Sequence, residues 1–242
     1  MRNILLTVSY DGTPFYGWQK TEVGPSVEEH LQRAVEKIVQ HEVELQAASR
    51  TDRGVHACEQ QVNFFTEKDF DLNTFQLSLN SLLPKEIRIL SVKKMKSAFH
   101  PTLDAIGKEY HYNICLGRVQ LPHNRLFSWH VPQTLDLGKM RQAAKELEGT
   151  HDFSSFCTKV SYADAIRTLE KVRIFEEDGR LLVVLKGDNF LYKMARTVVG
   201  TLIYVGRGKL ESVKEILKSG KRLEAGVTAP AHGLFLKKVY YC

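Results

Sequence analysis

The 242-residue chain is poor in cysteine and proline, and it holds no long apolar run. Its four cysteines, Cys58, Cys115, Cys157 and Cys242, lie far apart with no CxxC pair. Such spacing excludes a zinc knuckle and argues against a disulfide scaffold. No stretch approaches the ~18–20 apolar residues of a membrane span; VVGTLIYVG (198–206) comes nearest. The opening MRNILLTVSYDG is too short in apolar residues for a signal peptide, and Asp11 interrupts it. A reduced, cytoplasmic protein with no membrane partner is therefore expected. Charge of one sign is only moderately in excess: Lys+Arg 34 against Asp+Glu 28 leaves +6, with a pI near 9.0. That surplus favours a polyanionic partner without specifying one, because lysine-rich proteins lacking such a partner are common.

Apolar residues, by contrast, are plentiful. A hydrophobic fraction of 43% and an aromatic fraction of 10% suffice for a real core and exclude disorder for most of the chain. The length suits two compact units.

Residues 3–10 alternate Ile4, Leu6, Val8 and Tyr10 on one face, a strand pattern. Asp11-Gly12 turns the chain into a loop rich in glycine and aromatics. Ser26 with Glu29 three residues on reads as a capping box. Leu31, Ala34, Val35 and Ile38 then follow at helical spacing. Strands are expected at 43–48, 59–66 and 87–95, and a helix at 73–83 stopped by Pro84. This succession predicts an antiparallel sheet with helices on one face, as in an RRM. A second unit opens with a strand at 108–116 and a helix at 136–149, capped by Asp136 and closed by Gly149. Strands at 165–177 and 180–187 meet at Asp178-Gly179, a hairpin signal. A helix at 189–206, a short one near 210–219 and a strand at 234–241 complete the unit. The expected fold class is α+β, two RRM-like (ferredoxin-like) halves abutting at a central cleft, with domains at 1–104 and 105–242.

The most informative segment is SRTDRGVHA (49–57), where Arg50, Asp52, Arg53 and His56 crowd one short loop between strands. The plain reading is a tight turn using Thr51 and Asp52 as local acceptors. The chemical reading is that a carboxylate flanked by guanidinium groups stays ionised and can act as a nucleophile. Asp52 and His56 alone supply only two metal ligands. A basic side chain on such a loop could also occupy the place of a base taken out of its stack for modification.

ArgThrAspArgGlyValHisAla (50–57) resembles the signature of the tRNA pseudouridine synthase A family, R-T-D-x-G-V-H. SYDGTPFYGWQ (9–19), KEYHY (108–112), HDFSSF (151–156), FLYKMARTVVG (190–200) and HGLFLKKVYY (232–241) resemble the family's other motifs in order. The resemblance implies the pseudouridine synthase fold and the conversion of uridine to pseudouridine in tRNA, at positions 38–40 of the anticodon stem-loop. It implies no cofactor and no metal, and a homodimer. By position, Asp52 matches the family's nucleophilic aspartate, and Arg50 the arginine that enters the RNA and holds the flipped nucleotide out. Tyr110 matches the tyrosine packed on the target uracil. Arg196 matches the arginine that pairs with the aspartate. Gly233-Leu234 resembles the segment lining the base pocket through its backbone. Ser49 and Arg53 depart from the commoner family residues and leave substrate preference open.

The residues by themselves decide less. Tyr110 and Tyr112 share a strand face, with His111 opposite, and only the resemblance selects Tyr110. Arg196 lies near the edge of an apolar helix and needs a counter-charge, although a solvated arginine fits the same place. His56 reads as structural or RNA-contacting, and Cys58 as a small buried residue. Lys93, Lys94, Lys96, Arg118, Arg125, Lys237 and Lys238 are phosphate partners or merely solvated faces. A paralogue acting on ribosomal RNA, a non-catalytic RNA-binding protein and a metal-dependent phosphoesterase remain as alternatives.

Overall fold

The structure, a computed structural model, describes residues 1–158 and 164–242 and resolves into two compact units. They are Met1–Ile106 with Phe235–Cys242, and Gly107–Leu234.

In the first unit the elements run β1 (Arg2–Tyr10), α1 (Val27–Val39), β2 (Gln46–Ala47), β3 (His56–Thr66), α2 (Leu72–Leu82) and β4 (Ile87–Met95). The period-two pattern of β1 buries Ile4, Leu6 and Val8 completely. That strand lies between β3 and β4, antiparallel to both, while β2 pairs with the far half of β3. The order β4-β1-β3-β2 is the one the RRM-like succession predicts. Ser26 Oγ accepts from the Glu29 amide at 3.2 Å and starts α1. The Glu29 carboxylate turns to Arg33 at 2.6 Å, so only half of a capping box forms. Asp71 caps α2 through the Thr74 amide at 2.8 Å.

The second unit contains β5 (Gly107–Leu116), β6 (Trp129–Val131), α3 (Leu137–Glu146), β7 (Gly149–Asp152), β8 (Ile166–Glu177), β9 (Arg180–Gly187), α4 (Met194–Gly206) and α5 (Val213–Ser219). Strands β5, β9, β8 and β7 pair antiparallel in that order, and β6 runs parallel to the end of β5. Helix α3 packs on α4 and β8. Asp178 (φ 47°) and Gly179 (φ 72°) make the tight β8–β9 turn; two successive positive φ values match the twist of a two-residue hairpin.

The last strand, β10 (Leu234–Tyr240), lies within the domain expected at 105–242, yet Phe235–Cys242 clusters with the first unit. Its start runs parallel to β3, Phe235 opposite His56 and Leu236 opposite Ala57. The Ile106 amide donates to Tyr240 O at 2.9 Å, and the Tyr241 hydroxyl to Pro101 O at 2.8 Å.

Local expectations fail where side chains compete with the backbone. The helix expected from 189 begins only at Met194, because Lys193 is left-handed at φ 61°. Just upstream, Asp188 Oδ1 accepts from the Asn189 amide and Asn189 Oδ1 from the Phe190 amide, contacts that favour a turn. The strand expected at 43–48 shrinks to Gln46–Ala47. Gly149 does not close α3; Leu147 does, and Gly149 opens β7 at φ 106°.

Candidate active site

Asp52 is half-buried on a loop whose supports come from three directions. Beneath it, the Trp18 amide donates to Thr51 O at 3.0 Å, and the Tyr10 hydroxyl bonds Thr51 Oγ1 at 2.7 Å. Gly17, at φ 108°, lies so close that a Cβ would stand 2.9 Å from Thr51 O and 3.2 Å from the Arg53 amide nitrogen. At the loop's start, the Gln60 side chain works in both directions. Its Nε2 donates to Ser49 O at 2.6 Å and its Oε1 accepts from the Ser49 amide at 3.2 Å. Gln60 is fully buried, and its Oε1 also accepts from the Gln61 amide at 3.3 Å, so the side chain stands in for a piece of sheet ladder. Within the loop, the Val55 amide donates to Asp52 O at 3.1 Å and Gly54 takes φ 76°.

His56 is the first residue of β3 rather than part of a free loop, and it is 1% exposed. Its ring stacks on Phe235 at 4.5 Å between centroids. The Gly12 amide donates to its Nδ1 at 3.1 Å, which makes Nδ1 the lone-pair nitrogen. Asp11 Oδ1 is 3.2 Å from the same nitrogen. That oxygen also accepts from the Thr13 amide and hydroxyl at 2.9 and 2.6 Å. Of the two roles the sequence left open, burial selects the structural one. Arg50 and Arg53 are exposed, and Arg53 stacks its guanidinium on Tyr16 at 4.0 Å. Cys58 is half-buried, and burial pushes its thiol up.

In the second unit, Tyr110 and Tyr112 lie on one face of β5, both buried. Tyr112 is committed to the fold: its hydroxyl donates to Pro230 O at 2.8 Å and its ring packs edge-on to Trp129. A Cβ at Gly233 would fall 2.6 Å from that ring. Burial raises the Tyr112 phenol far above its usual range, against a smaller opposing pull from Arg196. Tyr110 instead meets Phe190 edge-to-face at 4.8 Å. The structure thus separates two tyrosines that strand periodicity leaves equivalent.

Arg196, partly exposed in the first turn of α4, is tied twice to Ala229. Its Nε donates to Ala229 O at 2.7 Å, and its own carbonyl accepts from the Ala229 amide at 3.1 Å. Helix α4 is buried almost all round, not on one stripe. Segment 226–230 approaches it so closely that a Cβ on Gly200 would lie 1.7 Å from Val227 O. The His232 imidazole is held below its usual pKa, chiefly by burial and further by the Arg196 charge. The Leu234 side chain is buried, and its amide bonds Ala231 O.

Sequence reasoning missed Gln60, Ala229 and Pro230, whose contributions are a buried amide and two backbone carbonyls. Gly12, Gly17 and Gly200 were the available signals, since close backbone approach demands glycine. Among the described residues, no group of three or more His, Cys, Asp or Glu could hold a metal ion. No described helix is long and apolar enough to cross a membrane.

A family model described as tRNA pseudouridine synthase matches residues 6–102 and 143–242. A protein named tRNA pseudouridine synthase A 2 from Protochlamydia amoebophila is 56% identical over all of this chain and 95% of its own length. A tRNA pseudouridine synthase A from Thermoanaerobacter sp. is 41% identical over the full length of both chains. Among solved structures, a chain from a Cbf5-Nop10-Gar1 complex overlays 97% of this chain and 58% of itself at 13% identity, with a TM-score of 0.40. With both its terminal motif blocks inside the family match and relatives aligned along its whole length, the chain belongs to the tRNA pseudouridine synthase A family.

Proposed function

We propose that the protein isomerises uridine to pseudouridine in tRNA, at positions 38–40 of the anticodon stem-loop, with Asp52 as its catalytic residue. The observation that carries this reading is the support of Asp52: a half-exposed carboxylate on a loop fastened at Ser49, Thr51 and Val55. Surface turns need no such fastening, whereas a reacting group must be held in place.

The reaction breaks the N1–C1′ glycosidic bond, turns the uracil and joins C5 to C1′. The proton lost from C5 is balanced by one gained at N1, so nothing is consumed. Asp52 acts at the sugar or at the uracil ring. Arg196, by family resemblance, supplies its counter-charge, and Tyr110 packs on the uracil and takes part in proton transfer. Arg50 enters the RNA and keeps the nucleotide flipped out, while Gly233-Leu234 lines the base pocket. The leaving uracil is a delocalised anion that stacking and hydrogen bonds can hold, so the chemistry as drawn calls on no cofactor or metal. Water must be kept out, since free uracil has to stay until it is rejoined. The enzyme works in the cytoplasm as a homodimer.

Asp52→Asn should abolish pseudouridine formation and largely spare tRNA affinity; retained turnover would defeat the role given to Asp52. Pseudouridine mapping in tRNA and ribosomal RNA from cells lacking the protein tests the substrate. Loss at tRNA positions 38–40 is expected, and loss confined to ribosomal RNA would overturn it.

A further inference from the structure

Strand β5 carries a lysine that the mechanism above does not use. Lys108 is 6% exposed and shares the face of β5 with Tyr110, about 7 Å along the strand. Its Nζ makes one hydrogen bond, to the side-chain oxygen of exposed Asn189 at 2.9 Å, and has no carboxylate partner among the described residues. Lys108 lies opposite Gly187 on β9, and Gly187 opposite Leu169 on β8, whose face Arg167 shares. Arg167, on β8, presses the ammonium further toward its neutral form, which burial already favours.

Arg167 is itself under-used. Its Nη1 donates to Ile166 O at 2.5 Å and to Asp164 O at 3.4 Å, and lies 3.8 Å from Asp164 Oδ2. Its Nε is buried with no hydrogen-bond partner among the described residues, so the Nε/Nη2 edge is idle. That edge is the one with which a guanidinium grips a phosphate or carboxylate bidentately. Asp188, next to Asn189, accepts from the Thr168 and Asn189 amides through Oδ1.

Two cations that repel each other, one nearly buried and the other missing a partner for a buried N–H, destabilise a fold. Holding Asn189 alone would need only a neutral donor. We propose that Lys108 and Arg167 form a seat for one phosphodiester of the RNA, the one flanking the nucleotide whose uracil rests on Tyr110. This rests on the functional reading above. The phosphate supplies the missing counter-charge, and the seat fixes the target nucleotide from its backbone while Tyr110 holds its base.

The test compares wild type, Lys108→Met, Arg167→Gln and the double variant in tRNA binding across a salt series. A single shared phosphate predicts that the double variant flattens log Kd against log salt by ~0.7–0.9. Inorganic phosphate should raise the Tm of wild type but not of the double variant, and Lys108→Met should raise the Tm of the RNA-free protein. An unchanged salt slope overturns the seat. If Lys108→Met fails to fold, Arg167→Gln alone is read against the same slope criterion. Wild type that binds tRNA but makes no pseudouridine would defeat the functional reading instead, leaving the slope comparison intact.

Discussion

The Asp52 loop and the Lys108–Arg167 corner are both polar clusters at the starts of strands, and they are built on opposite terms. Around Asp52, Ser49, Thr51 and Val55 are each tied down by the protein itself. At Lys108 and Arg167, charge is buried and left short of partners. The first arrangement makes geometry independent of substrate, as chemistry requires. The second makes stability depend on a ligand, because whatever completes it also stabilises the native state.

The largest effect should come from breaking the first region. A Cβ at Gly12 would stand 2.0 Å from Val55 O, a clash with backbone that no rotamer relieves. Gly12→Ala should cost about 3 kcal/mol and move the Asp52 loop. Denaturant unfolding should show the loss, and activity should fall further than the unfolded fraction explains.

A middle-sized effect separates the two tyrosines. Tyr112→Phe removes the bond to Pro230 O and should lower stability by about 1 kcal/mol, with pseudouridine formation largely intact. Tyr110→Phe should cut turnover far more than Tyr112→Phe does. Equal losses of turnover in both would erase the distinction drawn from packing.

In the second region, pH separates charge from packing. Lys108 is pushed down from 10.5 to about 8 by burial and Arg167, so between those values the unfolded chain binds the extra proton. Stability from this group therefore rises with pH across about 8 to 10.5. The Tm gain of Lys108→Met should be full at pH 7 and shrink toward pH 10. A gain that does not change with pH would mean that packing, not charge, lies behind it.

Much of this was legible in the chain. The alternation of β1, the Ser26 cap, the Asp178-Gly179 turn and the crowded 49–57 loop all express local rules. The boundary of α4 was not, because the apolar pattern of 190–206 continues through Lys193 while the Asp188 and Asn189 side chains hold the preceding backbone in a turn. Periodicity could not tell Tyr110 from Tyr112, since the difference lies at Pro230 and Gly233, more than a hundred residues away. The resemblance located Asp52 but not its clamp, for Gln60 looks from sequence like any polar residue on a strand. Lys108 passed as the first letter of a tyrosine motif; that its ammonium is buried emerges only from the pairing of three strands.

The parallel pairing of Phe235 and Leu236 with His56 and Ala57 also bears on when the enzyme comes into being. Residues 49–57 leave the ribosome about 180 residues before the ring that covers His56. Until Phe235 is made, the Asp52 loop stands beside an uncovered His56. The support of that loop is therefore finished only after all of the second unit has been synthesised.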